Sequence, residues 1–230
     1  MEHKRITLFA GHYGSGKTNI AVNYALHLAN AGHKVCVGDL DIVNPYFRTK
    51  DSASELDAAG IDLISPKFAN TNVDLPALPA EAYRLVEDKS SYAIMDIGGD
   101  DRGAYALGRY TPMILKENDY RMAFVANCYR PLTRTPQEAL EVMREIEAAC
   151  KLPFTCIINN SNLGNETTAE TIMASEMFIK ELSRLSGLPL WLTTAREDIA
   201  REMKNVFPLR LQKKIFELPP QKPENRPMWG

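Results

Sequence analysis

A glycine-rich loop near the amino end constrains this chain more than any other feature. The loop, residues 11–18 with the sequence Gly-His-Tyr-Gly-Ser-Gly-Lys-Thr, satisfies the pattern GxxxxGK[ST]. It follows an apolar run at residues 5–10 and opens a helical pattern at residues 17–31. In a strand–loop–helix unit of this kind, successive backbone N–H groups and the helix N-terminus face an anion. The loop therefore predicts an α/β fold that binds nucleotide phosphates.

Each residue type in this loop has a physical task. Glycines let the backbone curl tightly, so that its N–H groups can converge on phosphate oxygens. We expect Lys17 to reach the β- and γ-phosphates and to act in catalysis, and the hydroxyl of Thr18 to ligate Mg²⁺. The loop residues predicted to hold the nucleotide are Gly11, Gly14, Ser15, Gly16, Lys17 and Thr18.

The rest of the chain alternates short apolar runs with longer amphipathic segments. The runs predicted as strands are residues 5–10, 34–39, 61–65, 92–96, 121–127, 154–159 and 188–192. The segments predicted as helices are residues 17–31, 136–150 and 167–186, with Thr135 as the N-cap of the second. Repeated strand–helix units predict a doubly wound, mostly parallel sheet with helices on both faces.

Length and charge narrow the expectation further. We expect residues 1–218 of the 230 to form a single P-loop NTPase domain, and the proline-rich residues 219–230 to form an extended tail. Lys+Arg 27 against Asp+Glu 29 gives a net charge of −2, which counts against nucleic acid and anionic membranes as partners. No apolar stretch approaches the roughly 18 residues of a membrane span. The four isolated cysteines suit a reducing compartment, so the sequence predicts a cytoplasmic protein.

Acidic residues follow two of the predicted strands. Asp39 and Asp41 end the second strand, and Asp96 opens a DxxG segment that ends in Gly99. Because the carboxyl ends of parallel strands meet at one edge of a sheet, these acids can converge on the phosphate loop. A phosphate-bound Mg²⁺ keeps several waters that carboxylates hold, and the N–H of Gly99 can face a γ-phosphate.

Together, the phosphate loop, the DxD and the DxGG resemble the MinD/ParA type of P-loop ATPase over about residues 5–200. The wider group also contains ligases of the cobyrinate amide-synthase and dethiobiotin-synthetase type. The resemblance implies ATP and Mg²⁺ as ligands, with Thr18 on the metal ion. It implies that Asp39 and Asp96 act on Mg²⁺ mostly through its waters. It also implies that Asp41 orients the attacking water.

One position departs from the pattern of this family. The family motif KGGxGK[ST] carries an additional lysine that reaches across a nucleotide-sandwich dimer, whereas this chain has His12 there, followed by Tyr13. A neutral imidazole supplies no fixed charge at pH 7. The alternative sources of that charge, in cis or in trans, are Arg48, Arg102 and Arg130, and the sequence singles out none of them.

The strand predicted at residues 154–159 is followed by polar residues that bear on the choice of base. A guanine site typically carries NKxD here, because a carboxylate accepts from both N1–H and the 2-amino group. Asn162 stands at the aspartate position, which disfavours GTP. In the MinD/ParA type, an asparagine at the end of this strand binds adenine, so either Asn159 or Asn160 is predicted to do so. Residues 193–198 resemble the loop whose backbone contacts the base.

Three functions follow from these predictions. The first is a slow ATPase whose bound ATP and Mg²⁺ control docking to a protein partner, with a nucleotide-dependent homodimer as one form of the switch. The second is an ATP-dependent ligase or small-molecule kinase, whose acceptor would bind the loops at residues 41–50, 66–76 and 98–103. The third is a nucleotide-binding module with little turnover. The sequence contains no recognisable acceptor motif, which favours the switch.

Overall fold

All seven predicted strands are present, and an eighth follows them. The structure, a computed structural model, describes residues 2–40, 52–65, 80–98 and 101–211, with only the backbone described at residues 101 and 102. The strands are β1 Ile6–Ala10, β2 Val35–Leu40, β3 Asp62–Ile64, β4 Tyr92–Ile97, β5 Tyr120–Ala126, β6 Cys156–Asn159, β7 Leu190–Arg196 and β8 Val206–Leu209. The tail predicted at residues 219–230 lies outside these ranges, so the domain boundary stays a prediction.

The eight strands form one sheet in the order β3-β2-β4-β1-β5-β6-β7-β8. Every neighbouring pair is parallel, which confirms the predicted sheet type. Strand β1 lies between β4 and β5, so the chain first builds one side of the sheet and then crosses to the other. In such a sheet, the crevice beyond the carboxyl ends near the reversal is the usual place for a ligand. The phosphate loop leaves β1 at this point.

The helices cover both faces of the sheet, as predicted. Helices α1 and α2 pack on one face, whereas α3 to α6 and α8 bury their apolar side chains against the other. The α-helices of the described residues are α1 Lys17–Asn30, α2 Ala53–Ala58, α3 Arg84–Glu87, α4 Asp101–Leu107, α5 Thr111–Glu117, α6 Pro136–Cys150, α7 Ala169–Ala174, α8 Glu176–Ser186 and α9 Glu197–Ala200. None of the helices in the described ranges is both long and apolar enough to cross a membrane.

Two helix predictions had different outcomes. Helix α6 spans the predicted residues, and Thr135 caps it: its hydroxyl accepts from the N–H of Glu138 at 3.2 Å. The helix predicted at residues 167–186 is instead broken at Ser175 into α7 and α8. The buried Ser175 hydroxyl donates to the carbonyl of Ile172 at 2.6 Å, and such local bonds compete with a continuous helix.

Candidate functional site

The loop between β1 and α1 has two positions, near its start and near its end, where the backbone requires glycine. Gly16 has a φ of 93°, and a Cβ there would lie 2.2 Å from Nδ2 of Asn160. A Cβ on Gly11 would lie 2.6 Å from the carbonyl oxygen of Val125 in β5. Helix α1 begins directly after this turn, at Lys17. The loop therefore forms a tight cradle with its helix N-terminus behind it, a geometry suited to an anion.

Two polar side chains of the loop are buried around this cradle. The ammonium of Lys17 donates to the carbonyl of His12 at 3.3 Å, and its residue is only 6% exposed. The hydroxyl of Ser15 is buried without a hydrogen-bond partner in the described part of the chain. Because an unpaired buried hydroxyl costs about 1–3 kcal/mol, such a group indicates a ligand that completes its bonding. Phosphate oxygens fit both side chains.

The acidic strand ends meet the first turn of α1. Asp39 and Asp96 are paired across β2 and β4, and both are almost completely buried. The hydroxyl of Thr18 donates to Oδ2 of Asp96 at 2.6 Å. The hydroxyl of Thr18 and the carboxylates of Asp39 and Asp96 offer oxygen atoms, the ligand type that Mg²⁺ takes. These oxygens lie at the loop that would hold phosphates. Within the described residues, no group of three or more His, Cys, Asp or Glu could hold a metal ion, so the ion would also need phosphate oxygens and waters.

Some predicted residues fall outside the described ranges. Asp41 and Gly99 are both among them, and their roles stay predictions. The same holds for Arg48 and for the side chain of Arg102, two of the three alternative arginines.

A cavity of about 360 Å³ opens beside the loop, at the carboxyl edge of the sheet. Lys17 and Thr18 line it together with Thr194, Ala195 and Arg196. Three residues of the predicted base-contacting loop at residues 193–198 therefore line the same cavity as the phosphate loop. A nucleotide whose phosphates lie on the loop would place its base in this cavity, which is concave and mixed in polarity as ligand sites usually are.

An ion pair neutralises the positive charge of Arg196, one of the residues that line the cavity. Arg196 donates from Nε and Nη2 to the two carboxylate oxygens of Asp198, at 2.6 and 2.7 Å. The hydrogen bonds from Arg196 lower the pKa of Asp198 to about 2. Lys17 and Arg130 are the other cations among the described residues of the cavity wall.

The two asparagines predicted to contact the base have different positions. Asn160 lines the cavity; its Nδ2 donates to the carbonyl of Ser15 at 2.6 Å, and its Oδ1 accepts from the hydroxyl of Thr194 at 2.7 Å. Asn159 does not line the cavity, and its Nδ2 donates to the hydroxyl of Ser175 at 2.9 Å. Asn160 therefore ties the phosphate loop to β7, whereas Asn159 holds the break between α7 and α8.

The cavity also contains residues that were not predicted to bind the nucleotide, and one of them, Arg130, is the third of the alternative arginines. Asn162 donates from Nδ2 to the carbonyl of Asn160 at 2.7 Å, and Arg130 donates from Nε to the carbonyl of Gly14 at 3.0 Å. Leu209 of β8 and Leu211 line the cavity as well. The short β8 segment contains a proline and has no clear strand pattern, so the sequence carried no signal that would bring it to this edge.

Solved structures provide the comparison that decides the fold. The cell division protein FtsY from Thermotoga maritima superposes with a TM-score of 0.57 at 18% identity, over 84% of this chain and 62% of that one. A signal recognition particle receptor FtsY from Elizabethkingia anophelis, solved with GDP, matches with a TM-score of 0.52 at 15% identity, over 93% and 62%. The chain has the P-loop NTPase fold.

Further comparisons show that the similarity to solved structures covers only part of their length and is not accompanied by a family match. The signal recognition particle 54 kDa protein from Aeropyrum pernix, also solved with GDP, has a TM-score of 0.52 at 16% identity, over 84% of this chain and 41% of that one. The chain thus spans less than two thirds of the length of these structures. No protein-family model matches the chain, and no curated protein does. The P-loop NTPase fold is shown, and membership in the MinD/ParA type is not confirmed.

Proposed function

We propose that this chain binds ATP with Mg²⁺ at the loop of residues 11–18 and hydrolyses it slowly, as a switch that controls docking to a protein partner. The observation that carries the proposal is the Thr18–Asp96 hydrogen bond beside a glycine-curled loop that opens on a cavity. The solved structures with GDP support a nucleotide in a fold of this kind.

The arrangement suits an attack of water on the γ-phosphate. The N–H groups of the loop and the ammonium of Lys17 would hold the β- and γ-phosphates. Thr18 would ligate Mg²⁺, Asp39 and Asp96 would act mostly through its waters, and the ion would supply charge neutralisation on the phosphate oxygens. Asp41 is the residue that we propose for orienting the attacking water. Catalysis would then consist of positioning and electrostatic stabilisation.

The residues that line the cavity support our choice of ATP over GTP. No carboxylate is among the described residues that line it, so nothing there accepts from both N1–H and the 2-amino group of guanine. Asn162, which stands where the sequence would need that carboxylate, has its amide engaged within its own loop: Nδ2 donates to Asn160, and Oδ1 accepts from the N–H of Gly164 at 3.2 Å. An adenine base needs no such carboxylate.

Calorimetric titration with a non-hydrolysable ATP analogue and with its GTP counterpart tests this proposal. Lys17→Ala should weaken ATP-analogue binding by about 30-fold to several thousand-fold, because it removes a buried charged donor. Lys180→Ala, a change of an exposed lysine on α8, is the matched control and should leave affinity unchanged. Unchanged binding by Lys17→Ala would refute the phosphate-site assignment, and tighter binding of the GTP analogue would refute the assignment of the base.

The switch is tested separately by light scattering of the whole chain. With the ATP analogue and Mg²⁺ present, we expect the mass to rise toward that of a dimer if the nucleotide-dependent homodimer is one form of the switch. Thr18→Ala should remove this response, since it deletes a metal-ligating hydroxyl. The same mass with and without the analogue would contradict the homodimer.

A further inference from the structure

We infer that Arg130 binds the nucleotide in cis, donating from its Nη atoms to oxygens of the ribose and α-phosphate. This inference rests on the proposed function, since it assigns a further residue to the same nucleotide site. Arg130 lines the cavity that contains Lys17 and Thr18 of the phosphate loop.

The backbone that carries Arg130 is held firmly. The loop follows β5, where the side chain of Asn127 is completely buried. The hydroxyl of Thr133 donates to the carbonyl of Asn127 at 2.8 Å, and the N–H of Arg130 donates to the same carbonyl at 3.2 Å. Leu132 has a φ of 64°, a left-handed conformation that costs energy for a leucine. These contacts fix the start of the arginine side chain.

The guanidinium group connects the phosphate loop to the loop after β6. Its Nε donates to the carbonyl of Gly14 at 3.0 Å, and its Nη2 lies 3.5 Å from Oδ1 of Asn162, at the limit of a hydrogen bond. Arginine has five N–H donors, and only the Nε–H has a well-placed acceptor here among the described residues. The Nη donors remain for a ligand in the cavity.

The position of the guanidinium indicates which part of the nucleotide it meets. Gly14 belongs to the loop that would hold the phosphates, and Asn162 belongs to the loop after β6, where the sequence predicts the contacts to the base. The part of a nucleotide between its β-phosphate and its base consists of the α-phosphate and the ribose. Arginine matches phosphate oxygens well, because its planar donors can address two acceptors at once.

The same contacts argue against Arg130 as an arginine finger. A finger stabilises charge on the γ-phosphate, and in trans it must reach the site of another chain. Here the Nε–H of Arg130 is bound to Gly14 of its own phosphate loop. ADP and ATP share the α-phosphate and ribose, so the loss of Arg130 should affect both nucleotides equally.

Calorimetric titration of the full chain with unmodified ADP and with a non-hydrolysable ATP analogue tests the inference. Arg130→Ala should weaken both by the same factor, about 10- to 100-fold, as expected for hydrogen bonds to a charged group. Arg130→Lys should recover part of the affinity, because one ammonium keeps the charge but cannot keep both sets of contacts. Arg134→Ala, which removes an exposed arginine four residues along the same loop, should change neither affinity.

Three outcomes would overturn the inference. They are a loss for the ATP analogue alone, a fall in kcat with unchanged affinity, or unchanged affinity for both nucleotides. If Arg130→Ala melts at a much lower temperature than the parent, Arg130→Gln gives the same comparison with a side chain of similar shape. Lys17→Ala separates the two proposals: if it weakens binding while the Arg130 variants do not, only the inference fails, whereas no effect of Lys17→Ala refutes the site itself.

Discussion

The two ends of the central sheet use buried polar groups in opposite ways. At the amino end, the guanidinium of Arg5 forms an ion pair with Glu117 and donates to the carbonyl oxygens of Leu85, Val86, Asp88 and Ser91 at 3.2–3.5 Å. At the carboxyl end, the buried hydroxyl of Ser15 has no partner among the described residues, and it lies in the loop that borders the cavity.

This difference separates stability from ligand binding. The charges at the amino end are satisfied within the chain, so they hold the strands and helices together. The carboxyl end receives the N-terminus of α1 and the acidic ends of β2 and β4, and the phosphate loop at this end borders a cavity. Substitutions at the two ends should therefore have separable effects on unfolding and on nucleotide affinity.

The largest effect should come from the amino end. Arg5→Ala would leave Glu117 with Lys89 as its cation and would remove the donors to four carbonyls, lowering the free energy of unfolding by about 3–5 kcal/mol. Urea denaturation measures this change, and nucleotide affinity of the folded protein should stay constant. Arg5→Lys, which keeps the charge, should lose less. A loss below about 1 kcal/mol, the value of a surface ion pair, would contradict the comparison.

The next effect should come from the phosphate loop. Gly16→Ala places a Cβ against Asn160 in a left-handed backbone, which costs about 1–3 kcal/mol in the bound geometry, so ATP-analogue affinity should fall by about 5- to 150-fold. Gly187→Ala is the control, because its φ is 73° but nothing lies within 4 Å of its Cβ. It should lower stability alone. Equal affinity losses in both variants would show that general strain, and not the cradle, controls binding.

A comparison of the adjacent asparagines is sharper. Asn160→Ala removes the bonds to Ser15 and Thr194 at the cavity, and it should reduce both stability and nucleotide affinity, by about 1–3 kcal/mol in total. Asn159→Ala should reduce stability with little change in affinity, since its amide bonds to Ser175 behind the cavity. Melting curves with and without the ATP analogue measure both effects. A larger affinity loss for Asn159→Ala than for Asn160→Ala would show that Asn159, and not Asn160, contacts the nucleotide.

The smallest effect should be a pH dependence at the amino end. Burial, together with the nearby His27 and His33, lowers the pKa of His3 from 6.5 in the folded protein. Between pH 6.5 and that lower value, the unfolded chain binds more protons, so stability is constant above pH 6.5 and falls as the pH falls through the window. Thermal melts from pH 7.5 to 5.5 should show a shallow decline that His3→Gln reduces. An unchanged decline in that variant would assign the effect to other groups.

Much of the architecture was predictable from local pattern. Strands buried on both faces are continuous apolar runs, and the Thr135 cap with Glu138 three residues later is a short-range signal, so both were recognisable. The break at Ser175 depends on a bond from Asn159, sixteen residues earlier, which no periodicity reports. Strand β8 was not predicted, because Pro208 interrupts its strand pattern. The proline is tolerated at this position because β8 is an edge strand.

The amino-acid sequence by itself determined the phosphate loop, the parallel sheet and the acids that end β2 and β4. Each of these features depends on consecutive residues or on a local periodicity of apolar residues. Only the tertiary structure decided that Asn160 and not Asn159 lines the cavity, and that Arg130 lies against Gly14. These placements depend on the order in which strands from distant parts of the chain pair. Strand pairing brings residues more than a hundred positions apart into contact, and a local pattern carries no record of it.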